Sequence, residues 1–244
     1  MDYVDVLAMV GAGTAHPGGE MATRAWLAQL HLTSEDRVLE VGCGTGRTAC
    51  EIARRWPCSV TAVDTHAGMI DRARERAARR GVAVDFRKAR GGALPFPDQA
   101  FTVVTAESVA VFNRIQPLLR DWHRVLKAGG TAIDTEMCAG APLPAAARRT
   151  FASLYGVREV PTLATWKGEF ERAGFGAVRV LQSGPASGLA GAATGPAGVQ
   201  PDTDSQVGAD LPPQAVEVLR QNAEAMAAFA PYLQFVTILA KRAE

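Results

Sequence analysis

The sequence has little of several features that define other classes of protein. Its 244 residues include four cysteines, and these have neither CxxC spacing nor a nearby histidine pair, which argues against a zinc site or a disulfide framework. The formal net charge is +1, so the chain offers no overall attraction to nucleic acid or anionic lipid. No stretch reaches the roughly 18 to 20 uncharged apolar residues of a membrane helix. We therefore expect no metal, no nucleic-acid partner and no membrane span.

The remaining composition is that of an ordinary folded protein. Hydrophobic residues make up 48% of the chain and charged residues 21%, close to globular usage. Residues 1–10 have no basic leader followed by a full apolar region, and unpaired cysteines suit a reducing compartment. These features predict a cytoplasmic protein. The oligomeric state, monomer or homodimer, stays open at this point.

Apolar strand-like runs alternate with helical patterns along most of the chain. The runs predict strands at 37–41, 59–63, 82–86, 101–106, 131–135, 178–181 and 235–240. This alternation is typical of a parallel, doubly wound α/β sheet. Residues 1–33 are predicted to form an N-terminal cap on a domain of residues 34–244. Within that domain, residues 184–213 contain eleven Gly or Pro among thirty, which predicts a flexible insertion, either a lid over the site or a plain loop.

The first run leads directly into a loop of three alternating glycines. Gly42, Gly44 and Gly46 surround Cys43 and follow the strand residue Glu40. Glycines at this place allow a tight turn and let backbone amides approach a ligand. The third glycine comes one residue earlier than in the G-x-G-x-x-G loop of nicotinamide sites. Glu40 would also repel a pyrophosphate but suits a ligand that carries an ammonium and a sulfonium.

A second carboxylate ends the next strand. Asp64 lies eighteen residues after Gly46, where an acid can accept both hydroxyls of an adenosyl ribose. The loop and the two acids together predict an adenosyl ligand.

These motifs resemble those of class I S-adenosylmethionine-dependent methyltransferases, type 11 group, and are similar to the ubiquinone and menaquinone C-methyltransferases. Besides residues 40–46 and Asp64 followed by Met69, the resemblance includes the segments 94–98 (Leu-Pro-Phe-Pro-Asp) and 125–130 (Val-Leu-Lys-Ala-Gly-Gly). It implies a Rossmann-like seven-stranded mixed α/β sheet of order 3-2-1-4-5-7-6 with helices on both faces. The implied cofactor is S-adenosyl-L-methionine, with S-adenosyl-L-homocysteine as product.

The resemblance also assigns residues to the cofactor. Glu40 and the glycine loop would hold its methionine part, Asp64 its ribose, and Thr65 and Met69 would lie near the adenosine. One position departs from the pattern, because Arg90, followed by Gly91, stands where members of the group often have an acid that reaches the adenine amine. Arginine cannot accept that hydrogen bond. Arg90 is then either a neighbour of the adenine or a solvated charge.

Methyl transfer from a sulfonium mainly requires alignment of donor and acceptor and exclusion of water. Glu107, at the end of the fourth run, is the first candidate for a catalytic role, as a base or as a partner of the cofactor's ammonium. His16 is the second, because a neutral imidazole can take a proton near pH 7. Structural roles stay open for both residues. Trp166 and Tyr155 could line the acceptor pocket, but aromatic residues at helical spacing are more often core, and we interpret them so. The arginines of 72–80 could contact a phosphate and are interpreted as a solvated helix face.

Three functions remain after the sequence is read. The first is a methyltransferase that acts on a small molecule, since the segment 107–110 (Glu-Ser-Val-Ala) lacks the acid-Pro-Pro-aromatic run of enzymes that methylate nucleobase amines. The second is an S-adenosylmethionine-binding sensor or partner protein without catalysis, suggested by Arg90. The third, a nicotinamide-dependent reductase, depends only on fold analogy.

Overall fold

The computed structural model describes residues 3–13, 15–157, 159–186 and 211–244. Two helices come first, α1 (Tyr3–Val10) and α2 (Gly19–Leu27), and the alternating part follows: β1 (Arg37–Val41), α3 (Arg47–Arg55), β2 (Ser59–Asp64), α4 (Ala67–Arg80), β3 (Asp85–Lys88), β4 (Phe101–Glu107), α5 (Ile115–Val125) and β5 (Leu126–Ala139). The remaining elements are α6 (Ala145–Tyr155), α7 (Leu163–Arg172), β6 (Phe175–Pro185), α8 (Pro213–Phe229) and β7 (Leu233–Arg242).

The seven strands form one sheet of order β3-β2-β1-β4-β5-β7-β6. Neighbouring strands from β3 to β5 are parallel, whereas β7 runs antiparallel to both β5 and β6. Parallel strands need crossover helices that cover both faces. The predicted fold class and strand order are confirmed.

Two apolar cores lie on opposite faces of the sheet, because successive strand side chains point to opposite sides. Leu39 and Val41 of β1 face a core that includes Trp122 of α5 and Trp166 of α7. Val38 faces the other core, which α2, α3 and α4 cover. The carboxyl ends of β1, β2 and β4 therefore meet at one edge between these two layers.

Several predicted boundaries were wrong. The third strand is Asp85–Lys88 rather than 82–86, since Val82 and Val84 pack against the core beside α4 before the chain reaches the sheet edge. Helices α1 and α6 were not predicted. The predicted insertion 184–213 begins inside β6 and ends at the first residue of α8, and its residues 187–210 lie outside the described part of the chain.

Candidate cofactor and methyl-transfer site

The connection from β1 to α3 turns around three glycines in the left-handed region, with φ of 70° at Gly42, 51° at Gly44 and 74° at Gly46. A Cβ added to Gly42 would lie 2.3 Å from Cγ2 of Val109, so this glycine permits close packing of the loop that follows β4. Among the described residues, no atom lies within 4 Å of a Cβ added to Gly44. The middle of the loop is therefore open to a ligand that approaches the backbone.

Asp64 lies directly against this loop. Its Oδ2 accepts a hydrogen bond from the Gly44 amide at 2.9 Å, and its Oδ1 accepts one from the His66 amide at 2.9 Å. A carboxylate has about four acceptor positions, so each oxygen keeps one for a further donor such as a ribose hydroxyl. The structure thus brings the two predicted halves of the cofactor site together.

Glu40 is a buried acid beneath the same edge, with 4% of its surface exposed. Its Oε2 has no hydrogen-bond donor among the described residues. Burial, together with the nearby charges of Glu107 and Asp64, raises the pKa of Glu40 well above its ordinary value. A cation bound at this edge would lower that pKa again, because opposite charges favour the ionised form.

The positive group that partly offsets these acids is Arg76, whose charge acts to lower the pKa of Glu40. The interpretation of the arginines in 72–80 as a solvated face was wrong for this one, since Arg76 is only 1% exposed. It is buried on α4 together with Ala73, which lies one helical turn before it.

Glu107 ends β4 and joins three elements. Its Oε1 accepts hydrogen bonds from the Thr23 hydroxyl at 2.6 Å and from the Trp26 indole at 3.1 Å, both in α2. Its Oε2 accepts one from the Thr48 hydroxyl of α3 at 2.8 Å. This carboxylate is therefore held in a fixed orientation at the end of the strand.

His16, the second catalytic candidate, lies beside Glu107. Its Nε2 is 3.7 Å from Oε2 of Glu107 and 3.2 Å from the Thr23 hydroxyl, which bridges the two side chains. His16 is only 6% exposed. The loop is also tied to this segment, because the Thr45 hydroxyl donates to the Ala12 carbonyl at 3.2 Å. Residues before β1 thus form one wall of the site.

The other predicted cofactor residues surround the same edge in different environments. Thr65 and Arg90 are exposed. Met69 is buried and packs with α1 and α8. Cys43 is buried in the core, where burial raises the pKa of its thiol well above the ordinary value. Gly91 lies against the core, since an added Cβ would be 2.7 Å from Val41.

Trp166 lies in the core, as the sequence predicts, and Tyr155 is half-buried and packs against that core. The Trp166 indole is fully buried and donates to the Met137 carbonyl at 2.9 Å. Tyr155 stacks edge-on against Tyr3 and donates to the Asn222 side chain at 2.5 Å.

A pair of buried acids on β5, Asp134 and Glu136, was missed from the sequence. Neither side chain has exposed surface. Glu136 accepts hydrogen bonds from the amides of Val109, Ala110 and Val111. A signal was available, since two acids at alternate positions of an otherwise apolar strand point to one buried face.

An open groove of about 430 Å³ lies between α2 and α3, outside the glycine loop. Its arginines form ion pairs with Glu20 and Glu51. Thr23 and Thr48, the two hydroxyls that donate to Glu107, also line it. The groove is thus a charged surface next to the site, with its cations already engaged.

Within the described ranges, no helix is long and apolar enough to cross a membrane. The same part of the chain contains no cluster of three or more His, Cys, Asp or Glu side chains arranged for a metal ion.

Comparison with known proteins agrees with this geometry. A family model described as "Methyltransferase domain" matches residues 38–130. The uncharacterized methyltransferase YodH of Bacillus subtilis is 34% identical over 155 residues, which are 63% of this chain and 66% of that protein. The ubiquinone/menaquinone biosynthesis C-methyltransferase UbiE of Stenotrophomonas maltophilia is 36% identical over 118 residues, 45% of this chain and 47% of that one.

Among solved structures, phosphoethanolamine N-methyltransferase 2 of Haemonchus contortus, in complex with phosphomonomethylethanolamine and S-adenosylhomocysteine, superposes with a TM-score of 0.76. It is 16% identical, and the match covers 99% of this chain and 57% of that chain. The chain spans just under two thirds of YodH and less than half of UbiE.

The strand order described above is that of a Rossmann-like fold, and the glycine loop and the strand-end acids lie at the edge where the sequence predicts the cofactor. The match of residues 38–130 to the methyltransferase domain, together with these relatives, supports a class I S-adenosylmethionine-dependent methyltransferase of the type 11 group. The predicted family and cofactor are thereby confirmed.

Proposed function

We propose that this protein transfers the methyl group of S-adenosylmethionine to a small-molecule acceptor. The observation that carries the proposal is the combination of an open backbone cradle at Gly44 with three acids, Glu40, Asp64 and Glu107, at neighbouring strand ends. Backbone amides without side-chain bulk suit close approach of a ligand. Acids in a region of low dielectric suit a ligand whose ammonium and sulfonium are positive.

Each part of the cofactor has a partner in this arrangement. We assign the ribose to the free acceptor positions of Asp64 and the methionine part to the loop 42–46, with Glu40 beneath it. The bound cofactor supplies an electrophilic methyl group. The chain's own contribution is to orient that group and to keep water away from it.

The acceptor end is assigned to Glu107 and His16. Glu107 is held by three donors, so its charge is fixed in place next to the loop. His16 and Glu107 together offer an acceptor for a proton that leaves the substrate as its methyl bond forms. A positioned base of this kind adds about 10² to 10⁴ in rate.

The class of acceptor follows from the relatives as a proposal. UbiE is named for ubiquinone and menaquinone biosynthesis, and the Haemonchus enzyme was solved with phosphomonomethylethanolamine. A panel of amino-alcohol phosphates and quinones therefore tests both kinds of small acceptor.

Isothermal titration with S-adenosylmethionine and S-adenosylhomocysteine is the first test, followed by detection of S-adenosylhomocysteine produced from the panel. Glu107→Gln keeps the side-chain shape and removes the charge, so we expect turnover to fall at least about 100-fold, the lower end of the range for loss of a base. Glu51→Gln, on the outer side of α3, is the matched control and should leave turnover unchanged. Absence of binding by either nucleoside would refute the proposal.

The second candidate is a protein that binds the nucleoside without catalysis. The exposed Arg90, at the position where an acid often reaches the adenine, favours it. Tight binding of both nucleosides with no turnover on any acceptor of the panel would support this candidate, and turnover on a single acceptor would eliminate it.

A further inference from the structure

The segment that follows β4 is attached to one buried side chain. Oε1 of Glu136 accepts hydrogen bonds from the amides of Val109 at 2.7 Å and Ala110 at 2.5 Å, and Oε2 accepts one from Val111 at 3.3 Å. Hydrogen bonds to a charged acceptor are roughly twice as strong as those between neutral groups. Three consecutive amides on one carboxylate therefore fix the backbone of residues 109–111.

The start of this segment is also held. Ser108 has a φ of 60°, a left-handed conformation that residues other than glycine adopt infrequently. Its amide donates to the Thr135 carbonyl at 2.7 Å. Since Thr135 and Glu136 are adjacent on β5, both attachments are made to the same point of the sheet.

The segment in turn lies against the glycine loop. The Val109 side chain occupies the space beside Gly42, where an added Cβ would come within 2.3 Å of its Cγ2. Glu107 is two residues before Val109. A shift of residues 108–111 would therefore move the surface next to the glycine loop and the end of the strand that carries Glu107.

The acid at 136 is unusual for a residue with no exposed surface. A buried carboxylate costs free energy unless it is compensated, and an apolar side chain of similar size often packs as well or better. Asp134 lies on the same face of β5. Burial and the charge of Glu136 raise the pKa of Asp134 well above its ordinary value. The cost is partly met by the three backbone donors to this carboxylate, an arrangement that defines a position rather than adds stability.

We propose that Glu136 is a positioning residue for methyl transfer, whose carboxylate holds residues 108–111 in one conformation against Gly42 and so shapes the wall of the cofactor site beside Glu107. This role depends on the proposed function in one respect, which is that the ligand of the site is S-adenosylmethionine.

Hydrogen–deuterium exchange of the peptide 107–113, read by mass spectrometry, tests the attachment directly. We expect Glu136→Ala to speed exchange of the amides 109–111 by at least about tenfold, because these amides lose their acceptor. Glu136→Gln keeps one oxygen acceptor and should give an intermediate rate. If Glu136→Ala does not fold, the exchange rate of Glu136→Gln provides the test instead.

The matched control is Thr135→Val, on the opposite face of the same strand. It removes the hydroxyl contact with Thr237 at 2.9 Å, while Thr237 keeps the Gln182 side chain as a partner at 3.1 Å. This variant should lower thermal stability and leave the exchange of 109–111 unchanged.

Titration with S-adenosylhomocysteine supplies the second readout. We expect its affinity to fall about tenfold or more in Glu136→Ala, to recover in part in Glu136→Gln, and to stay unchanged in Thr135→Val. Unchanged exchange in Glu136→Ala, equal effects in Thr135→Val, or faster exchange with full affinity would each overturn the proposal. If the wild-type protein itself does not bind S-adenosylhomocysteine, the proposed function fails, and the exchange data still decide whether Glu136 fixes the segment.

Discussion

A single methyl group added at Gly44 should separate ligand binding from stability. Gly44 and Gly81 both have left-handed backbones, with φ of 51° and 63°, and an added Cβ meets no described atom within 4 Å at either position. Gly44 lies in the loop over the proposed cofactor site, whereas Gly81 ends α4 as its C-cap. Gly44→Ala and Gly81→Ala are therefore a matched pair.

The two substitutions should cost similar stability. An L-residue in the left-handed region loses about 1–2 kcal/mol, and the smaller entropy of the unfolded alanine chain returns about 0.4–1 kcal/mol. The net loss is about 1 kcal/mol, or a decrease of roughly 2–4 °C in Tm for a chain of this size. The Gly44 amide keeps its acceptor on Asp64 in the variant, since alanine retains the N–H.

The effect on binding should differ between them. At Gly44 the new methyl group enters the space assigned to the cofactor, and overpacking of this kind costs about 1–3 kcal/mol, which corresponds to a loss of roughly 5- to 150-fold in affinity. Isothermal titration with S-adenosylhomocysteine measures this loss, and scanning calorimetry measures Tm. The reasoning is refuted if Gly44→Ala binds as tightly as the wild-type protein, or if Gly81→Ala loses affinity to the same extent.

Two further predictions concern stability. Gly46 has a φ of 74°, and a Cβ added to it would lie only 2.7 Å from the Cβ of Ala73. Gly46→Ala should therefore lower the free energy of unfolding by about 2–5 kcal/mol. A urea midpoint equal to that of Gly44→Ala would contradict this. Burial raises the pKa of Glu136 from its usual 4.5 to about 7. The folded state then binds this proton more tightly than the unfolded state, so the free energy of unfolding should fall as the pH rises. The slope is ~1.4 kcal/mol per pH unit below pH 7, which gives a loss of about 2 kcal/mol between pH 5.5 and pH 8. Urea titrations across this range should show the slope in the wild-type protein and a smaller one in Glu136→Gln, and equal slopes in both would rule out this origin.

The part of the fold that could be predicted from sequence is the part encoded locally. Strand β1 is a run dominated by apolar residues, and the glycines that follow it adopt left-handed backbone, so both were located correctly. Asp64 was found for the same reason, because it directly ends a strand. The pairing of His16 with Glu107 was not predicted, although each residue was singled out, since 91 positions separate them in the chain.

What could not be predicted depends on contacts between distant elements. The role of Glu136 comes from amides 25 to 27 residues earlier in the chain, and these meet it only because β4 and β5 are neighbours. The sequence pattern does not distinguish Arg76 from the exposed arginines around it, because its burial depends on how α4 packs on the sheet. The strand β3 was misplaced by about three residues because, at the edge of the sheet, pairing with β2 rather than apolar content sets its limits.

The three donors to Glu107 have a practical consequence for trimming the chain. Thr23 and Trp26 come from α2, outside the alternating part of the fold. A shortened protein that starts at β1 would keep every strand, yet its Glu107 would lose two of its three partners and the fully buried Trp26 would leave one face of the sheet bare. The smallest unit that holds Glu107 in its observed orientation therefore includes α2 as well as the alternating part of the fold.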